Sequence, residues 1–269
     1  MLPAEVRRAV DAYLGWADRL LPGRVVGAYV FGSTALGAYR PGRSDIDLLV
    51  VLDDEPVTGH DLRRLRALHA SQLPRVLVGL ARTRHLFATC NTAFVRRADL
   101  GRPVTRIEPV ASHVGHQFVA GWAFDVNPVM WQVLGSRGIA LRGPAPADLG
   151  LDPEPGRLRD WNLANLRGYW AGHADRVEAG TGPLRAAAVE WCVLGPPRLH
   201  ATITTGAVLS KREAGTHAIR AFGPDVEPIV TVALATLAGE PLPAAPPREE
   251  WRVRTADFMR RVIEDASGV

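Results

Sequence analysis

The sequence predicts an α/β domain with a small mixed sheet over residues 1–150, followed by an all-α helical bundle domain over residues 151–269. Three observations predict it. Apolar, β-branched runs alternate with helix-patterned segments only in the first part of the chain. From about residue 112 helix-length segments dominate. Two stretches rich in Pro and Gly, 142–146 (RGPAP) and 152–156 (DPEPG), are the linker candidates between the halves.

The elements follow in order. Residues 4–21 repeat apolar side chains at Val6, Val10, Tyr13, Leu14, Ala17, Leu20 and Leu21 behind Pro3, an amphipathic helix ended by Pro22-Gly23. Residues 24–31 (RVVGAYVF) read as a buried strand running into Gly32-Ser33. A short helical piece over 34–38 and a turn at 40–43 precede a second strand, 44–52 (SDIDLLVVL). Residues 59–73 form a helix and 87–95 (FATCNTAFV) a third strand. Helices are expected at 128–138, 157–179, 184–194, 197–206, 211–222, 226–238 and 248–265, with 241–247 (PLPAAPP) as a stiff connector.

Composition bounds the function. The chain has 269 residues, 47% hydrophobic and 22% charged, a soluble globular balance. No run approaches the roughly 18 apolar residues of a membrane span, and residues 1–6 lack the pattern of a signal peptide. Cys90 and Cys192 are the only cysteines, which suits buried apolar roles and a reducing cytoplasm. The net charge of +4 comes from 32 basic and 28 acidic residues, and the arginines are scattered rather than gathered in one block. That argues against nucleic acid as a partner and leaves a polyanionic small molecule such as a nucleoside triphosphate. A monomer is expected.

The chemistry centres on Gly32-Ser33, eleven intervening residues, then Asp45 and Asp47. Residues i and i+2 of a strand share a face, so the two carboxylates project together. Carboxylates that close repel unless a cation lies between them, and Mg²⁺ is the oxygen-seeking ion that also binds triphosphate oxygens. A glycine at 32 lets backbone N–H approach a phosphate, and Ser33 adds a hydroxyl. A phosphate cradle and metal carboxylates on neighbouring strands suit nucleotidyl transfer.

The segments 31–37 (FGSTALG) and 43–50 (RSDIDLLV) resemble the signature of the polymerase-β-like nucleotidyltransferases, and most closely the streptomycin/spectinomycin adenylyltransferases. Residues 198–211 (RLHATITTGAVLSK) resemble the C-terminal segment of that branch. The resemblance implies Mg²⁺ on Asp45 and Asp47, with Gly32, Ser33 and Ser44 lining the triphosphate of ATP and Arg198 and Lys211 closing over it. Lys211 is also the sole lysine of the chain, a compact ammonium suited to phosphate at close range.

Two positions depart from that pattern. The family places a general-base carboxylate on the third strand, and here Asn91 occupies that position. An amide accepts no proton at neutral pH. Glu190, His113, His116 and Asp125 are the candidates for a substitute base. The second departure is the acceptor side: enzymes for polycationic antibiotics use acids there, and over residues 184–191 only Glu190 is acidic. Trp122, Trp131, Trp161, Trp170 and Trp191 offer either core packing or a stacking wall. The expectation is an adenylyltransferase moving AMP from ATP to a small-molecule hydroxyl, with an aminoglycoside-type antibiotic as the acceptor. The alternatives are a nucleotide-binding protein with weak or lost catalysis, and a transferase acting on protein or RNA.

Overall fold

The computed structural model describes residues 2–74, 77 and 89–268. The chain divides into one unit spanning Met1–Pro155 and another spanning Gly156–Val269.

In the first unit, helix α1 (Ala4–Leu20) buries Val6, Ala9, Val10, Tyr13, Leu14 and Ala17 along the expected stripe. Strand β1 (Val25–Val30) leads into a single turn of helix, α2 (Gly32–Ala35). Strand β2 (Ile46–Leu52), helix α3 (Gly59–Ala70) and strand β3 (Cys90–Arg96) follow. Residues 87 and 88, the start of the predicted third strand, lie outside the described residues. β1 and β2 pair antiparallel, β2 and β3 parallel, so the sheet is mixed.

The sheet has six strands, in the order β5-β4-β3-β2-β1-β6. Three of them were not expected: β4 (Ala111–Val114), β5 (Gln117–Ala120) and β6 (Ile139–Arg142). Each is four residues long, too short for period-2 alternation to stand out, and none lies in a segment assigned to an element from the sequence. β4 and β5 form a hairpin in which Val114 pairs with Gln117, leaving Gly115-His116 as a two-residue turn with Gly115 at φ +57°. Helix α4 (Pro128–Arg137), capped by the Asn127 side chain accepting from the Met130 N–H at 3.0 Å, packs against α2.

The pleat assigns the two faces of this sheet. Ile46, Leu48, Val50 and Leu52 pack with Cys90, Phe94, Leu65 and Leu68 and with the stripe of α1 in one core. Each such side chain, taken fully from water, contributes about 1.5–3 kcal/mol. Because successive side chains alternate, Asp47 and Asn91 point to the opposite face. Burying the apolar set fixes the register and so fixes where the polar residues go.

The second unit is helical, as its periodicity predicts. It comprises α5 (Pro155–Asn165), α6 (Ala171–Ala179), α7 (Ala186–Leu194), α8 (Pro196–Thr205), α9 (Lys211–Phe222), α10 (Glu227–Ala238) and α11 (Trp251–Gly268). A π-helical turn, Leu166–Trp170, joins α5 to α6. Val189, Val193, Phe222, Ile229, Val230, Trp251, Phe258 and Val262 lie in one core, and Leu166, Trp170, Ala174, Met259 and Ala266 in another. Among the described residues no helix is long and apolar enough to cross a membrane.

Candidate active site

The site lies at the end of the sheet where β1 runs into α2. The Phe31 N–H donates to the Asp47 carbonyl at 3.0 Å, so β1 and the start of β2 are still paired when the chain reaches Gly32. Gly32 has φ +57°, and a Cβ added there would stand 1.8 Å from Oδ2 of Asp47. Backbone conformation and the neighbouring carboxylate therefore both demand glycine. The Ser33 and Thr34 hydroxyls are buried and have no hydrogen-bond partner among the described residues. Buried hydroxyls without partners are rare enough to need a reason, and a ligand oxygen supplies one.

Asp45 precedes β2, Asp47 is its second residue, and buried Ile46 between them faces the core. The carboxylates thus share the outer face. Asn91 is directly across from Asp47 in the parallel β2–β3 register. Its amide Nδ2 donates to Oδ2 of Asp45, and its Oδ1 accepts from the Gly115 N–H at 3.0 Å. Asn91 therefore ties Asp45 to the β4–β5 turn. Asp125, in the loop before α4, lies within electrostatic reach of Asp45. Burial and then the Asp45 charge push its carboxyl up to about 6.

Asp45, Asp47 and the buried, unpartnered Ser33 hydroxyl are hard oxygen donors, a chemistry that fits Mg²⁺. Among the described residues no group of three or more His, Cys, Asp or Glu side chains is disposed to hold a metal. Any ion here would rest on two carboxylates and take further oxygens from its ligand.

The other sequence candidates separate. Ser44 Oγ accepts from the Arg40 N–H at 3.1 Å, closing the turn before β2. His113 is fully buried on the core face, bonded to the Tyr13 hydroxyl and, at 2.8 Å, to His69. Burial, then His69, pushes it down to about 3, so it is neutral and turned away from Asp47. His116 is exposed in the β4–β5 turn. Trp131 and Trp170 are core residues, whereas Trp122 and Trp191 are about half exposed.

In the second unit, Arg198 Nε donates to the Leu209 carbonyl at 3.0 Å, and Thr202 Oγ1 donates to the Ala207 carbonyl at 3.0 Å. These bonds fasten the 206–210 loop to α8 and bring Arg198 to the start of α9. Ser210 and Glu213 form a capping box there, which launches α9 at Lys211. Glu190 is not poised as a free base: Oε1 accepts from Lys211 Nζ at 2.8 Å. Sequence spacing gave no sign of that pair, 21 residues apart on α7 and α9.

Residues 16–82 match the family model of the nucleotidyltransferase domain. Curated proteins give no match to the sequence. Among solved structures, the chain is similar to spectinomycin adenyltransferase AAD(9) from Enterococcus faecialis, crystallised with ATP and spectinomycin. The TM-score is 0.65 at 14% identity, over 96% of this chain and 99% of that one. The glycine–carboxylate geometry lies within the matched segment: residues 16–82 are similar to a nucleotidyltransferase domain, and the chain as a whole has the fold of a spectinomycin adenyltransferase.

Proposed function

We propose that the protein moves AMP from ATP to a hydroxyl of a small molecule, with aminoglycoside-type antibiotics as the acceptor class. The observation that carries this reading is the apposition of Gly32 and Asp47, with Asp45 held beside them by Asn91. A positive-φ glycine packed on the Asp47 carboxylate has no evident use in folding alone. The similarity to a structure holding ATP and spectinomycin supports the choice of donor and acceptor.

In this reading Asp45 and Asp47 would hold Mg²⁺, which would supply neutralisation of charge on the triphosphate. The backbone at Gly32 and the Ser33 hydroxyl hold phosphate oxygens, and Ser44 shapes the turn that presents Asp45. Arg198 and Lys211 of the helical unit bind the phosphates that leave as pyrophosphate. The acceptor oxygen attacks the α-phosphorus as its proton passes to Asp125, the carboxylate that takes over the role denied to Asn91. Asp125 suits it better than Glu190, because Glu190 is engaged by Lys211. The protein acts as a cytoplasmic monomer.

A second reading is a nucleotide-binding protein with weak catalysis, and one observation favours it: the amide of Asn91 is committed to Asp45 and Gly115. Pyrophosphate release, measured with each of the four nucleoside triphosphates and an aminoglycoside panel, separates the two. Release that needs both ATP and one acceptor class supports transfer. ATP binding with no release under any pairing supports the second reading.

A further inference from the structure

The surroundings of Lys211 form a built assembly. Its ammonium donates to Glu190 Oε1 at 2.8 Å and lies 5.4 Å from the ring centroid of Trp191. Trp191 in turn packs against Trp170, centroid to centroid 5.6 Å, at an interplanar angle of 37°. Trp170 ends the π-helical turn, and the space its ring fills exists because residue 195 is glycine: a Cβ there would stand 2.1 Å from the ring. One chain of contacts thus runs from a distorted helical turn through two indoles to the single lysine.

The lysine is held but not sealed. Its side chain keeps 31% of its surface exposed, against 17% for Glu190. An ammonium has three donors, and Glu190 uses one. A lone surface ion pair of this kind adds little to stability, so stability is a poor reason for building it. Ordering a long, rotamer-rich side chain before its ligand arrives is a better one, because the ligand then loses less free energy in fixing it.

We infer that Glu190 is a positioning residue that, with Trp191, holds the Lys211 ammonium ready for the phosphates of ATP. This rests on the proposed phosphate role of Lys211 and gives Glu190 a role other than general base. The test uses the full chain and Mg²⁺-ATP, read by calorimetry and by NMR. As Lys211 is the only lysine, selective ¹³C-lysine labelling gives one Cε signal.

In the wild type the two Hε protons should be inequivalent, and the signal should shift on adding Mg²⁺-ATP. Glu190→Ala should merge them and raise Kd for Mg²⁺-ATP about threefold to tenfold, in line with the loss of one pre-ordered side chain. Glu190→Gln, which keeps an acceptor oxygen, should retain most of the affinity. Lys211→Ala should weaken binding more, and adding Glu190→Ala to it should cost nothing further. Full additivity in the double variant, or an unchanged Kd and signal in Glu190→Ala, overturns the positioning role alone. An unchanged Kd in Lys211→Ala overturns the phosphate role of Lys211, and the inference falls with it.

Discussion

Oδ2 of Asp47 occupies the space that a Cβ on residue 32 would need, with a separation of only 1.8 Å. A methyl group there must displace the carboxylate or the backbone, and it meets a φ of +57° as well. Gly32→Ala should therefore cost about 1–3 kcal/mol of stability and abolish Mg²⁺-ATP binding in a soluble, folded protein. Thermal unfolding with calorimetric titration checks both; wild-type affinity in this variant would refute the cradle.

Asp47→Asn tests the metal pair more gently. The amide is isosteric and leaves the Gly32 contact in place, but it removes one of the two negative charges a hard cation needs. Circular dichroism should match wild type while Mg²⁺-dependent ATP binding disappears. Unchanged affinity would remove Asp47 from the metal site.

Asp125→Asn tests the borrowed base. Losing a general base costs a factor of about 10² to 10⁴ in rate, while ATP affinity should hold. Since burial and Asp45 push the Asp125 carboxyl up to about 6, its proton-accepting form builds as pH rises through that value. Wild-type turnover should fall on the acid side, and the variant should lose that limb. A variant with wild-type kcat and an unchanged pH profile would exclude Asp125.

His113 predicts acid sensitivity from the core rather than the site. Its folded pKa, pushed down to about 3, lies below the value of about 6.5 for an unfolded histidine. On acidification the unfolded chain takes up this proton first, so the contribution to stability is complete above about 6.5 and is lost towards 3. Urea denaturation at pH 7, 6 and 5 should show a steeper loss in wild type than in His113→Gln, which can still bond Tyr13. Equal slopes would contradict the assignment.

The helices and the central strands were legible because each carries a run of apolar residues long enough to show its period. The site motif was legible because Gly32, Asp45 and Asp47 fall within sixteen residues, at the end of β1 and the start of β2. The β4–β5 hairpin was not, since four-residue strands leave too few alternations, and buried His113 breaks the apolar pattern. Nor were the Asp45–Asn91–Gly115 connection and the Glu190–Lys211 pair. Those arise from sheet register and helix packing between distant segments, which no local spacing encodes.

The most direct measurement of the central claim is the mass of the acceptor after incubation with the full chain, ATP and Mg²⁺, across an aminoglycoside panel. Asp47→Asn serves as the control. The account predicts an acceptor heavier by one AMP, pyrophosphate in equal amount, and neither product with Asp47→Asn. Tight Mg²⁺-ATP binding by the wild type, with no adduct on any acceptor and no pyrophosphate, would contradict it.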